Sequence, residues 1–179
     1  MDVEALARGI GFDLVAAIRA DDVVTSRELA ASCNPRACRK YGSCWTCPPG
    51  VGTFEEILGD IASREAGVLV QTVRDGVDHY EDWELIEEAH ALHNARLDQL
   101  ADAMRAEFDD VIEFSTGGCD LCSPCSYPDT PCLKPERRRE SLSAHGVAVA
   151  ATCEQASLDY AFENGRVRFV GMILYSTTK

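Results

Sequence analysis

Eight of the chain's nine cysteines fall in two short stretches, and this clustering limits the possible folds more than any other feature. The first stretch carries Cys33, Cys38, Cys44 and Cys47, followed at once by Pro48 and Pro49. The second carries Cys119, Cys122, Cys125 and Cys132, followed by Pro135. Proline and glycine break both stretches, so the scaffold must present two irregular loops, at 33–50 and 117–135. Disulfide staples are not what the chain needs. At 179 residues a chain buries roughly 70% of its unfolded surface and builds a core unaided.

Charge and hydropathy exclude several classes. Thirty acids against 17 bases give a net charge of −13, which leaves no basic face for a phosphate backbone and argues against nucleic acid. Apolar runs stay far below the ~20 residues that cross a bilayer. Met1-Asp2-Val3-Glu4 lacks the basic start of a secretory signal. The expected setting is the cytoplasm with no membrane partner, where clustered thiols stay reduced and serve metal or redox chemistry.

The remaining chain alternates helix and strand. Residues 3–9 read as a short helix ended by Gly9 and Gly11, and 12–20 as a buried strand. Ser26 caps a short helix through Ala31. Thr53, with Glu55 and Glu56 behind it, caps a helix over 54–64. Residues 67–73 give the clearest strand, 81–108 the longest helix, and 111–115 a strand leading straight into the second cysteine stretch. A helix over 136–144, another over 152–160 and a last strand over 166–175 complete the pattern. The expectation is an α/β fold: one domain spanning 1–179, with a small mixed sheet of about four strands flanked by helices.

Cys119, Cys122 and Cys125 form two Cys-x2-Cys steps sharing a middle residue. That is the step pattern by which bacterial ferredoxins hold three irons of a [4Fe-4S] cube, a distant Cys-Pro supplying the fourth ligand. Zinc more often uses two separated knuckles. Two residues compete for the fourth place: nearby Cys132, and Cys47, the one cysteine followed by proline. In the second case ligation would cross between the loops. The first loop reads as a second cluster held by Cys33, Cys38 and Cys47, with Cys44 a fourth ligand or a spectator. A thioredoxin-like role for Cys44-Trp-Thr-Cys47 needs a helix start, which Pro48-Pro49 opposes.

Other groups read as structural. Cys153 suits a small buried apolar position. Glu87 and His90 form one Glu-x-x-His, whereas di-iron bundles need two. His90 and His93 instead share a seam with Trp83, Ile86, Leu97, Leu100 and Met104. Lys134, Arg137, Arg138 and Arg139 read as a solvated helix face or, with His145, as cations beside an anionic centre.

At larger scale the residues resemble a prokaryotic family of predicted metal-binding proteins, catalogued as a domain of unknown function and common in anaerobes and archaea. The likeness rests on C-x4-C-x2-YG-x2-W-x-CPP at 33–49, then 50–56, C-x2-C-x2-C-x6-C-x2-P at 119–135, and Ser141-Leu142-x2-His145-Gly146-Val147. It covers nearly the whole chain. It implies seven recurrent cysteines, 33, 38, 47, 119, 122, 125 and 132, and none required at Cys44.

The functional expectation is a [4Fe-4S] protein with one or two clusters, in electron transfer or redox metabolism. The alternatives are a structural zinc module for protein–protein contact, or an enzyme using an iron that seven ligands leave open. Tyr41, Trp45, Tyr127 and His145 would stand nearest such an iron. A redox protein or a small-molecule substrate is the expected partner, with a homodimer as a further option.

Overall fold

Residues 67–73 form the heart of a five-stranded mixed sheet in the computed structural model, which describes residues 1–177. This strand, β2 (Ala66–Asp75), lies antiparallel between β1 (Leu14–Arg19) and β5 (Arg166–Ser176). Next to β5 comes β3 (Asp109–Ser115), also antiparallel, and outside it β4 (Arg139–Ser141), parallel to β3. The order across the sheet is β1-β2-β5-β3-β4.

Helices cover both faces, and this explains the composition of the inner strands. Six consecutive residues of β2 and six of β5 are buried, so neither strand alternates apolar with polar. On one face α1 (Val3–Ile10) and α4 (Trp83–Arg105) set Ala7, Leu97, Leu100 and Met104 against Val68, Val70 and Ile173. On the other, α3 (Phe54–Ala62) and α5 (Val149–Gln155) set Ile57, Ile61 and Cys153 against Leu69, Phe114, Met172 and Leu174. Cys153 is fully buried there, as its apolar neighbours suggested.

Local signals held where caps were strong. Ser26 caps α2 (Arg27–Ser32) by accepting the Leu29 N–H. Thr53 and Glu56 form a reciprocal capping box at α3. Thr53 borders the first cysteine loop and fixes where it rejoins regular structure, while the helix that Ser26 opens runs up to the loop's start at Cys33.

The largest departure from expectation is at 136–144, which is not a helix. Pro135 opens a single 3-10 turn, Pro135–Arg137, and the chain then extends as β4, the strand that brings the count to five. The register pairs Glu113 with Arg139, Phe114 with Glu140 and Ser115 with Ser141. All three β4 residues are buried, two of them charged. Arg139 is held by Asp98 at 3.3 Å and by Asp120, which makes this depth tolerable. Apolar periodicity cannot register a strand whose buried residues are ionic. The expected helix over 152–160 starts earlier and ends at Gln155, with Ser157 at φ +53° beyond it.

The seam of α4 also needs one correction. His93, Leu97, Leu100 and Met104 are buried, but Trp83 is 62% exposed. His93 Nδ1 meets Thr72 Oγ1 at 2.9 Å, and His90 Nε2 meets the Thr116 carbonyl at 3.3 Å. Both histidines join the helix to the sheet. Burial carries His93 down from 6.5 to about 3, so it is neutral at pH 7.

Candidate metal centres

The first loop bridges α2 and α3, and the second leaves the end of β3, so both emerge at one edge of the scaffold. Their aromatic residues lock them together. Trp45 stands edge-on to Tyr127, ring centres 4.9 Å apart. Its indole N–H reaches Ser126 Oγ at 3.3 Å and the Thr130 carbonyl at 3.2 Å. Trp45 and Tyr127 therefore serve the joint between loops.

The eight loop cysteines sort into two cavities and one remainder. Cys119, Cys122, Cys125 and Cys132 line a narrow cavity of about 20 Å³, walled also by Trp45, Leu121 and Leu133. Cys33, Cys38 and Cys47 line a wider cleft of about 270 Å³ beside Lys40 and Tyr41. Cys132 thus stands with its sequence neighbours, and Cys47 with the other first-loop thiols. A crossed arrangement is not the one this geometry favours. Cys44 lines neither cavity and is 2% exposed.

A thin wall separates the cavities. Trp45 and Thr46 face the narrow cavity while Cys47 and Pro48 face the cleft. On the opposite loop Gly117 and Gly118 face the cleft while Cys119 faces the narrow cavity. Thr46, fully buried, ties the two sides by accepting the Cys119 N–H on its Oγ1 at 2.9 Å. The same oxygen lies 3.5 Å from Cys44 Sγ. Gly118 has no room for a side chain: a Cβ there would fall 2.7 Å from Cys47 Sγ and 3.1 Å from Cys44 Sγ.

The electrostatics are those of thiols crowded away from water. Burial raises Cys33 and Cys119 above the usual thiol range. Cys44 and Cys47 hydrogen-bond each other, which lowers Cys44 to about 5 and raises Cys47. A bound cation reverses the cost for its ligands, because a coordinated thiol is deprotonated outright. Among the described residues, no three Cys, His, Asp or Glu side chains are grouped as a single ion would require.

Charged groups brace the second loop from beneath. Arg139 contacts Asp120, next to Cys119, and Lys134 Nζ donates to the Leu121 carbonyl at 3.0 Å. Arg138 borders the narrow cavity and pairs with Glu140. Arg137 pairs with Asp102 at 2.5 Å. The basic run is therefore mostly anchored rather than a solvated helix face. His145 lies elsewhere: it is buried against Phe114, Nδ1 3.0 Å from the Ser141 carbonyl, and lines neither cavity. Sequence reasoning missed Thr46, Gly118 and Asp120. The small residues abutting cysteines, Thr46 before Cys47 and Gly118 before Cys119, were the available signal.

The α/β scaffold thus gathers seven thiols on two adjoining cavities. A family model described as "Predicted metal-binding protein (DUF2284)" matches residues 16–175, and the chain belongs to that family. No curated protein and no solved structure matches the chain. Among the described residues, no helix is long and apolar enough to cross a membrane.

Proposed function

We propose that this chain is a cytoplasmic iron–sulfur protein, with one [4Fe-4S] cluster held by Cys119, Cys122, Cys125 and Cys132 and a second centre held by Cys33, Cys38 and Cys47. The observation that carries the reading is the four-and-three division of thiols over two adjoining cavities. The donors fit in kind, since thiolates are the ligands of such clusters, and in spacing, since three of them follow the ferredoxin step. The cleft, at about 270 Å³, also has room for a body of several atoms.

The cluster supplies one-electron chemistry at a potential that its surroundings set. The chain's own residues do the rest. Trp45 and Leu121 supply apolar walls to the narrow cavity, and Leu133, itself exposed, lines it from the solvent side. Lys134 and Arg139 hold the second loop in shape through Leu121 and Asp120. Thr46 fixes the Cys119 backbone against the first loop. The role is electron transfer in redox metabolism, with a soluble redox protein as partner.

Anaerobic purification followed by iron, sulfide and zinc analysis tests this. The expected result is a coloured protein with iron and sulfide in equal amounts. A colourless protein carrying stoichiometric zinc would overturn it in favour of a structural zinc module, which should then unfold on chelation.

A further inference from the structure

The narrow cavity offers four thiols, the number a cube needs, whereas the cleft offers three. Cys44 does not make up the difference at the cleft. It is turned toward Thr46 and packed beside Cys47 and Gly118, and it does not line the opening.

The cleft's remaining lining is unusual for this chain. The sequence carries 30 acids and a net charge of −13, yet no carboxylate occurs among the described residues that line the cleft. Its polar groups are the ammonium of Lys40 and the hydroxyls of Tyr41, Ser32, Ser141 and Ser143. A neighbouring cavity shows the contrast, for Asp60, Asp109, Asp110, Glu136 and Glu140 all border it. Ser32 gives its proton to the Leu29 carbonyl at 2.6 Å, which leaves Lys40, Tyr41, Ser141 and Ser143 as donors to a guest, and apart from the thiols no side chain in the cleft is acidic. Ser141 is buried and already accepts the Ala144 N–H at 3.3 Å, which leaves its own proton to offer a guest. The volume, about 270 Å³, must be shared with whatever the thiols hold, so the guest is small.

We propose that the cleft binds a small carboxylate, which completes the ligand set that Cys33, Cys38 and Cys47 leave one short, with Lys40 and the hydroxyls holding its oxygens. This rests on the iron–sulfur reading above and extends it from electron transfer to recognition of an anionic small molecule. The four-thiol cavity has no vacancy of this kind and takes no guest.

The test uses the full chain, purified anaerobically, with iron and sulfide counted first. Oxalate is then titrated while the EPR spectrum of the dithionite-reduced protein is recorded. The expected result is a saturable change in one of two signals and none in the other. Lys40 is exposed, so Lys40→Met should fold normally. It should weaken the oxalate response by about fivefold, the scale of one exposed charge pair, and Lys40→Arg should restore most of it. A protein without iron and sulfide would overturn the iron–sulfur reading and this inference with it. A loaded protein whose spectrum oxalate does not move, or moves equally in Lys40→Met, would overturn the carboxylate site alone.

Discussion

The two cysteine cavities share a wall but differ in almost everything else. One is narrow, four-thiol and walled by Trp45, Leu121 and Leu133. The other is more than ten times larger, three-thiol and lined with hydroxyls and a lysine. A four-thiol site, with one ligand for each iron of a cube, would suit storage or passage of an electron, since nothing must bind or leave. An open one short of a ligand suits a site where something does. The contrast suggests a division of labour across a wall only a residue or two thick.

The largest effect should come from removing a thiol, and the choice of thiol tests the division directly. Cys132→Ala should empty the narrow cavity, roughly halving iron and sulfide per chain while the oxalate-responsive signal remains. Cys38→Ala should do the converse. Loss of the oxalate-responsive signal in Cys132→Ala would mean that ligation crosses between the loops and that the cavities are not independent sites.

Next comes the wall. Gly118→Ala drives a Cβ to 2.7 Å from Cys47 Sγ, an overpacking that should cost up to about 3 kcal/mol. The damage should fall on the cleft first, because Cys47 belongs to it. Metal analysis and a urea midpoint would detect both, and normal iron at the cleft would show that the wall yields more easily than its packing implies.

The scaffold provides the reference for reading such losses. His93 is far from either loop in its bonding, fixed to Thr72 and held at about 3 against an ordinary 6.5. Between those values the unfolded chain binds a proton that the native state refuses. This contribution is complete above pH 6.5 and shrinks as pH falls, by about 2 kcal/mol at pH 5. Urea midpoints at pH 7 and pH 5 should differ accordingly in the wild type and less in His93→Gln. An equal drop in both would move the acid sensitivity away from His93 and toward His145, the other buried histidine, which burial carries down to about 4.

How much of this could be read from residue order follows the range of the forces involved. Caps act over three residues, so Ser26 and Thr53 were legible, as was the grouping of Cys119, Cys122 and Cys125 on one cavity, whose spacing is local. The strand β4 was not, because Arg139 is buried against partners distant in sequence, Asp98 and Asp120. The sorting of Cys47 and Cys132 was open for the same reason. Spacing admits either pairing, and only the interlock of Trp45 with Tyr127 and of Thr46 with Cys119 decides how the loops meet.

Thr46 should show a smaller effect, but one felt on both sides. Thr46→Val keeps the volume and removes the acceptor for the Cys119 N–H, at a cost of about 1.5 kcal/mol. Since Cys119 lines one cavity and Cys47, the next residue, lines the other, the reduction potentials of both centres should shift. A shift at one centre only would show that the wall insulates the sites rather than joining them.

Cys44 should matter least, and the reason bears on the whole comparison. Its thiol is buried, engaged with Cys47 and Thr46, and absent from the lining of either cavity. Cys44→Ala removes one buried sulfur and should cost about 1 kcal/mol through the small void left behind. Iron, sulfide and the oxalate response should stay at wild-type levels. If the cleft instead loses its iron, Cys44 is its fourth ligand, reached by a modest turn of the side chain past Cys47. Both cavities would then be four-thiol sites, no coordination position would remain for a carboxylate, and the difference between the two centres would reduce to their exposure to solvent.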